Sequence, residues 1–115
     1  MTKQIDTLPT LAEYTSAVGV LKLLADTTRL RLLHVLTAGE QSVADLAEAV
    51  EAAPAAVSQH LAKLRLGGLV LTRREGNRVF YSLINEHVGK LVREALLQAD
   101  HLVGGALHHS VGTSS

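Results

Sequence analysis

The chain has 115 residues, 11 basic and 11 acidic side chains, no cysteine, and 47% hydrophobic content with only three aromatic residues. That length allows one domain with a small core of Leu, Val and Ala, and the missing thiols exclude disulfides and thiolate metal sites. No run approaches the length of a membrane span, and MTKQIDTLPT lacks the apolar centre of a signal peptide, so no membrane partner and a cytoplasmic location are expected.

Residues 1–9 read as a flexible arm. Thr10–Asp26 reads as a helix, because Leu11, Tyr14, Val18, Leu21 and Leu24 recur every three or four positions. Asp26 suits the N-cap of a second helix, Thr27–Thr37, with Leu30, Leu33 and Leu36 inward. Ser42-Val43-Ala44-Asp45 has the form of a capping box opening a third helix through Val50, with Leu46 and Val50 on its core side. A short link leads to Pro54, which suits a first helical turn because its missing N–H is one a helix start leaves unbonded.

From Pro54, Val57, Leu61 and Leu64 follow at helical spacing until Gly67-Gly68. The opposite face carries Ala55, Gln59, Ala62 and Lys63, with Ser58 on its flank. This face is small and polar, and fits a DNA major groove without obstruction. Leu69–Arg74 and Arg78–Leu83 then read as a hairpin turning at Glu75-Gly76-Asn77, with Arg73, Arg74 and Arg78 crowding its tip. Asn85 caps a last helix, roughly Glu86–Val103, whose stripe of Val88, Leu91, Val92, Ala95, Ala99 and Leu102 reads mainly as a subunit interface paired with the first helix. Residues 104–115 read as a flexible tail.

Two short helices followed by an arginine-tipped ribbon form a winged helix-turn-helix, a mainly α (α+β) fold, with dimerisation helices at both ends of residues 10–103. Charge points the same way. Residues 52–85 carry a net +4, against −3 for residues 1–51 and −1 for residues 86–115. A neutral chain that concentrates positive charge on one supersecondary unit has an electrostatic footprint for phosphate. Ser58, Gln59 and Lys63 are therefore the expected base-reading residues, and Arg73, Arg74 and Arg78 the expected backbone contacts. No nucleophile–base pair or phosphate-binding glycine loop suggests an enzyme.

The run Leu24-Ala25-Asp26-Thr27-Thr28-Arg29-Leu30-Arg31-Leu32-Leu33 resembles a signature of the ArsR/SmtB family of metal-responsive repressors. The resemblance continues through Ser42–Ala47, Val57–Leu64, Gly68–Val70, Arg73–Gly76 and Phe80–Leu83. It implies a homodimeric repressor that leaves operator DNA when an inducer, usually a metal ion, binds.

The family's thiolate site on the third helix lacks its cysteines here. The positions of its zinc-type site on the last helix are Asn85, His87, Gln98 and His101, and two amides among the four weaken the zinc reading. His87, Asp100, His101, His108 and His109 instead resemble the layout of the nickel- and cobalt-sensing KmtR branch, with Asp100 in place of a glutamate. Such donors suit Ni²⁺ and Co²⁺. His87 and His101 stand 14 residues apart, about 21 Å along a helix, yet within about 40° of the same face. Two such helices set antiparallel about a two-fold axis near Glu94 would bring His87 of one chain to Asp100 and His101 of the other. His34, amid leucines, and His60, beside the recognition face with no carboxylate expected nearby, read as structural, with a contribution to DNA binding or packing also open to His60. A zinc-responsive repressor and a repressor without a metal inducer remain the alternatives.

Overall fold

The computed structural model describes residues 7–104; most of the expected arm, and the tail with His108 and His109, lie outside the described residues. Helix α1 spans Leu11–Leu24 and α2 Thr27–Leu36; a two-residue strand β1, Gln41–Ser42, precedes α3, Val43–Val50. Helix α4 spans Pro54–Leu66, strands β2 and β3 span Val70–Glu75 and Arg78–Leu83, and α5 closes the fold over Glu86–Leu102. Among the described residues no helix is long and apolar enough to cross a membrane.

Four of the five helices begin where a side chain can satisfy their free N–H groups. Thr10 and Glu13 form a reciprocal capping box on α1, with bonds of 3.2 and 2.8 Å. Asp26 caps α2 through the Arg29 N–H, Ser42 caps α3 through the Asp45 N–H, and Asn85 caps α5 through the N–H groups of His87 and Val88. Helix α4 has no side-chain cap and relies on Pro54 in its first turn. The turn between α3 and α4 passes through Glu51 in the left-handed conformation (φ 54°), and the Ala52 N–H returns to Ala47 O at 3.0 Å.

The core is aliphatic, as composition requires. Leu32, Leu33, Leu46, Val57, Leu61, Leu64 and Val92 are its largest fully enclosed side chains. In α2 the inward set is Leu32, Leu33 and Leu36, with Leu30 only half-buried. His34 is exposed rather than packed among the leucines around it in sequence.

Two features, the wing and the α5 stripe, depart from the sequence expectation. The wing is a three-stranded antiparallel sheet ordered β1-β3-β2, since Gln41 and Ser42 pair with Tyr81 and Phe80. A strand of two residues has too little periodicity to be read in advance. The α1 stripe, expected at a subunit interface, is left open within one chain: Leu11, Tyr14, Val18 and Leu21 are 80, 50, 48 and 54% exposed, and only Leu24 of that set is buried. The α5 stripe divides, because Val88 and Val92 belong to the chain's own core while Leu91 and Leu102 remain outside it.

Candidate nucleic-acid interface and ligand residues

Helix α4 is oriented by its apolar side. Val57, Leu61 and Leu64 have no exposed surface, which turns Ser58, Gln59, Ala62 and Lys63 outward. No ion pair is formed by Lys63 among the described residues. The outer face therefore offers a hydroxyl, an amide and an ammonium group, all suited to hydrogen bonding with base edges or phosphate.

The hairpin turns through two residues, with Gly76 at φ 62°, a conformation glycine adopts without steric penalty. Its register sets Arg73 opposite Phe80, Arg74 opposite Val79 and Glu75 opposite Arg78. Because side chains alternate along a strand, Arg73 and Arg78 lie on one face and Arg74 on the other. The three arginines near the wing tip are thus not one cluster.

Arg73 is the most heavily engaged of them. Its guanidinium lies 4.8 Å from the Phe80 ring centre and reaches across β3 to Glu40, just before β1. There Nη2 and Nε donate to the two Glu40 carboxylate oxygens at 2.8 and 3.0 Å, and Nη1 donates to Glu75 at 3.2 Å. The bond from Arg73 holds the Glu40 carboxyl below its ordinary pKa; Glu40 and then Glu75 raise that of Arg73. Arg78 rests its guanidinium 5.1 Å from the same ring. It also lines an open groove between the start of α3 (Ser42, Val43, Ala44) and the wing turn (Asn77, Arg78, Val79). Sequence reasoning missed both the Glu40 strap and this groove. The partners lie more than thirty residues apart and meet only through β1 pairing.

His60 has a carboxylate neighbour after all. Its Nδ1 lies 3.8 Å from Asp26 Oδ2 and 3.5 Å from Arg29 Nη1, a juxtaposition created by packing α4 against the start of α2. The Arg29 N–H holds the Asp26 carboxyl below its ordinary pKa, with further lowering by His60.

Along α5, His87 and His101 are exposed and Asp100 is half-buried. Asn85, the first position of the zinc-type pattern, uses its side-chain oxygen as the N-cap, accepting from His87 N and Val88 N at 3.0 and 3.3 Å. Among the described residues no three His, Asp or Glu side chains gather into a group able to hold a metal ion. His108 and His109 lie outside the described residues.

The family profile described as bacterial regulatory protein, arsR family, matches residues 26–72, from the α2 cap into β2. The chain is 49% identical over 92 residues to the HTH-type transcriptional regulator KmtR of Mycobacterium tuberculosis, covering 80% of this chain and 71% of that one. It is similar to the homodimeric winged helix-turn-helix DNA-binding domain of Mb0332 from Mycobacterium bovis (TM-score 0.72, 36% identity, 79% of this chain and 85% of that one). The antimony-specific transcriptional repressor AntR is likewise similar (TM-score 0.76, 36% identity, 84% and 88%).

Proposed function

The chain belongs to the arsR family of bacterial regulatory proteins, DNA-binding transcriptional regulators rather than enzymes, and on that footing we propose that it is a homodimeric repressor released from its operator by Ni²⁺ or Co²⁺. The observation that carries the dimeric, DNA-binding part is the opposite exposure of two helices. Helix α4 turns its polar face outward, whereas α1 turns out Leu11, Tyr14, Val18 and Leu21. Ser58, Gln59 and Lys63 would read base edges, and Arg78 and Arg74 would contact the phosphate backbone. Arg73, strapped to Glu40, would position the wing rather than bind phosphate.

The metal response is supported by the donor set. His87, at the exposed start of α5, and Asp100-His101, near its end, are too far apart to share one ion within a chain. Antiparallel α5 helices in a dimer would bring His87 to the partner's end of that pair, with His108 and His109 as further donors. The capping duty of Asn85 favours this set over the zinc-type pattern. When bound, the ion would bridge the subunits and bias the spacing of the two recognition helices, which must reach successive major grooves.

The test is titration of a duplex, selected by the protein from a random-sequence pool, with and without a panel of divalent metals. Ni²⁺ and Co²⁺ are expected to weaken binding on the order of a hundredfold, the upper part of the range for coupling between sites. Unchanged affinity with every metal would establish a metal-independent repressor, and an effect confined to Zn²⁺ would establish the zinc-responsive alternative.

A further inference from the structure

The recognition helix is linked by hydrogen bonds to the end of α1 through the Arg29 side chain. Arg29, in the first turn of α2, folds back over the last turn of α1. Its Nε donates to Leu23 O at 2.7 Å and its Nη2 to Lys22 O at 3.3 Å, carbonyls at a helix end whose later members lack intrahelical donors. Its backbone N–H donates to Asp26 Oδ2 at 2.9 Å. The remaining nitrogen, Nη1, reaches His60 Nδ1 on α4 at 3.5 Å. Arginine only donates, so the contact is a hydrogen bond in the tautomer that leaves Nδ1 free to accept. A second contact joins the same two helices. A Cβ added at Gly67, the C-cap of α4, would lie 2.1 Å from Leu23 Cδ1, so the tip of the Leu23 side chain from the end of α1 packs against the end of α4.

This junction matters because α1 is otherwise thinly held. Residues 11–19 are all exposed, and Leu24 is the helix's only buried residue. Within its own chain, α1 is a lever anchored at one end. Over a helix of about 21 Å, a slack of about 5° at the anchor moves the far end by about 2 Å. Two such errors add across a two-fold axis.

We propose that Arg29, with His60 and Asp26, is a positioning cluster that fixes the recognition helix on α1, so that the dimer geometry set by α1 reaches DNA as one definite spacing of the two α4 helices. The proposal rests on the dimeric, operator-binding function argued above. Arg29 and His60 act here through helix placement, and neither is assigned a contact with DNA.

The probe is a duplex selected by the unaltered protein from a random-sequence pool, compared with the same duplex carrying one extra base pair between its half-sites. Arg29→Ala is expected to reduce the preference for the unmodified spacing by about fivefold or more, while sedimentation still shows a dimer. His60→Ala leaves the α1 carbonyls capped, and keeps the test open should Arg29→Ala fold poorly; the same loss of spacing preference is expected. His60→Gln, which retains an acceptor for the guanidinium, is expected to restore most of it, and the double variant Arg29→Ala/His60→Ala to be no worse than Arg29→Ala. Unchanged spacing preference in both single variants, or equal losses on both duplexes, would overturn the proposal. Failure of the unaltered protein to select any duplex would instead overturn the operator-binding function beneath it.

Discussion

Helices α1 and α4 are of nearly equal length, 14 and 13 residues, yet they leave opposite sides to solvent. Helix α4 encloses Val57, Leu61 and Leu64 and shows Ser58, Gln59 and Lys63; α1 encloses only Leu24, half-buries Val20 and Leu23, and shows Leu11, Tyr14, Val18 and Leu21. Both helices are incomplete in one chain, but what completes each differs in kind. A polar face with an unpaired ammonium group is complemented by a polyanion, whereas a contiguous apolar stripe is removed from water only by another apolar surface. A second copy related by a two-fold axis supplies that surface with one interaction type used twice.

The contrast is broken most severely at the apolar side. Val18→Glu combined with Leu91→Glu should give a monomer by sedimentation and, by removing bivalent engagement, lower affinity for the selected duplex on the order of a hundredfold or more. Leu91 is the useful α5 position, because Val92 is core and its replacement would test folding instead. An intact dimer in the double variant would contradict the assignment of both helices. On the polar side, Gln59→Ala should erase about 1–3 kcal/mol of discrimination between selected and random duplex, read by competition binding. Equal weakening of both would remove Gln59 from base readout.

The wing offers a smaller but signed effect. Arg78→Ala should reduce the slope of log affinity against log salt by about 0.9, the value of one phosphate contact. Arg73→Ala should weaken binding without changing that slope. Glu40→Gln should also weaken it slightly, although loss of a negative charge near DNA would otherwise strengthen binding. Tighter binding by Glu40→Gln would show that Arg73 is a phosphate contact held in check, and not a strap.

The smallest expected effect is on stability. The Asp26 carboxyl has a lower pKa folded than unfolded, so in the interval between the two values the unfolded chain binds more protons. Its contribution is therefore complete above the ordinary carboxylate range and lost as pH falls through the depressed value. Asp26→Asn should flatten the acid limb of a denaturation-midpoint profile, and an unchanged limb would assign the Asp26 bond no net role.

Much of the fold was legible because its signals are local. Asp26, Ser42 and Asn85 announce helix starts by capping chemistry, Pro54 and Gly67 bracket α4, and Gly76 marks the hairpin. The exposed polar face of α4 was legible for the same reason, since helical period alone separates Val57, Leu61 and Leu64 from Ser58, Gln59 and Lys63. What the sequence did not disclose are contacts made by distant segments. Strand β1 exists only because Gln41 and Ser42 meet Phe80 and Tyr81. The pairs Arg73–Glu40 and His60–Asp26 are created by tertiary packing over more than thirty residues. The α5 stripe misled in part because the core residues Val88 and Val92 and the exposed Leu91 and Leu102 form a single broad apolar band along the helix. Val88 and Leu91 look alike until the domain is assembled.

The most direct test of the central claim, that the inducer site joins two chains, is subunit complementation. His87→Ala and His101→Ala homodimers should each lack tight Co²⁺ binding, because every shared site loses one donor. On mixing and subunit exchange, the heterodimer pairs the intact His87 of one chain with the intact His101 of the other. The absorption spectrum should then regain one Co²⁺ site per heterodimer, together with metal-dependent release of the selected duplex. Mixed protein that binds cobalt no better than either parent would contradict a shared site.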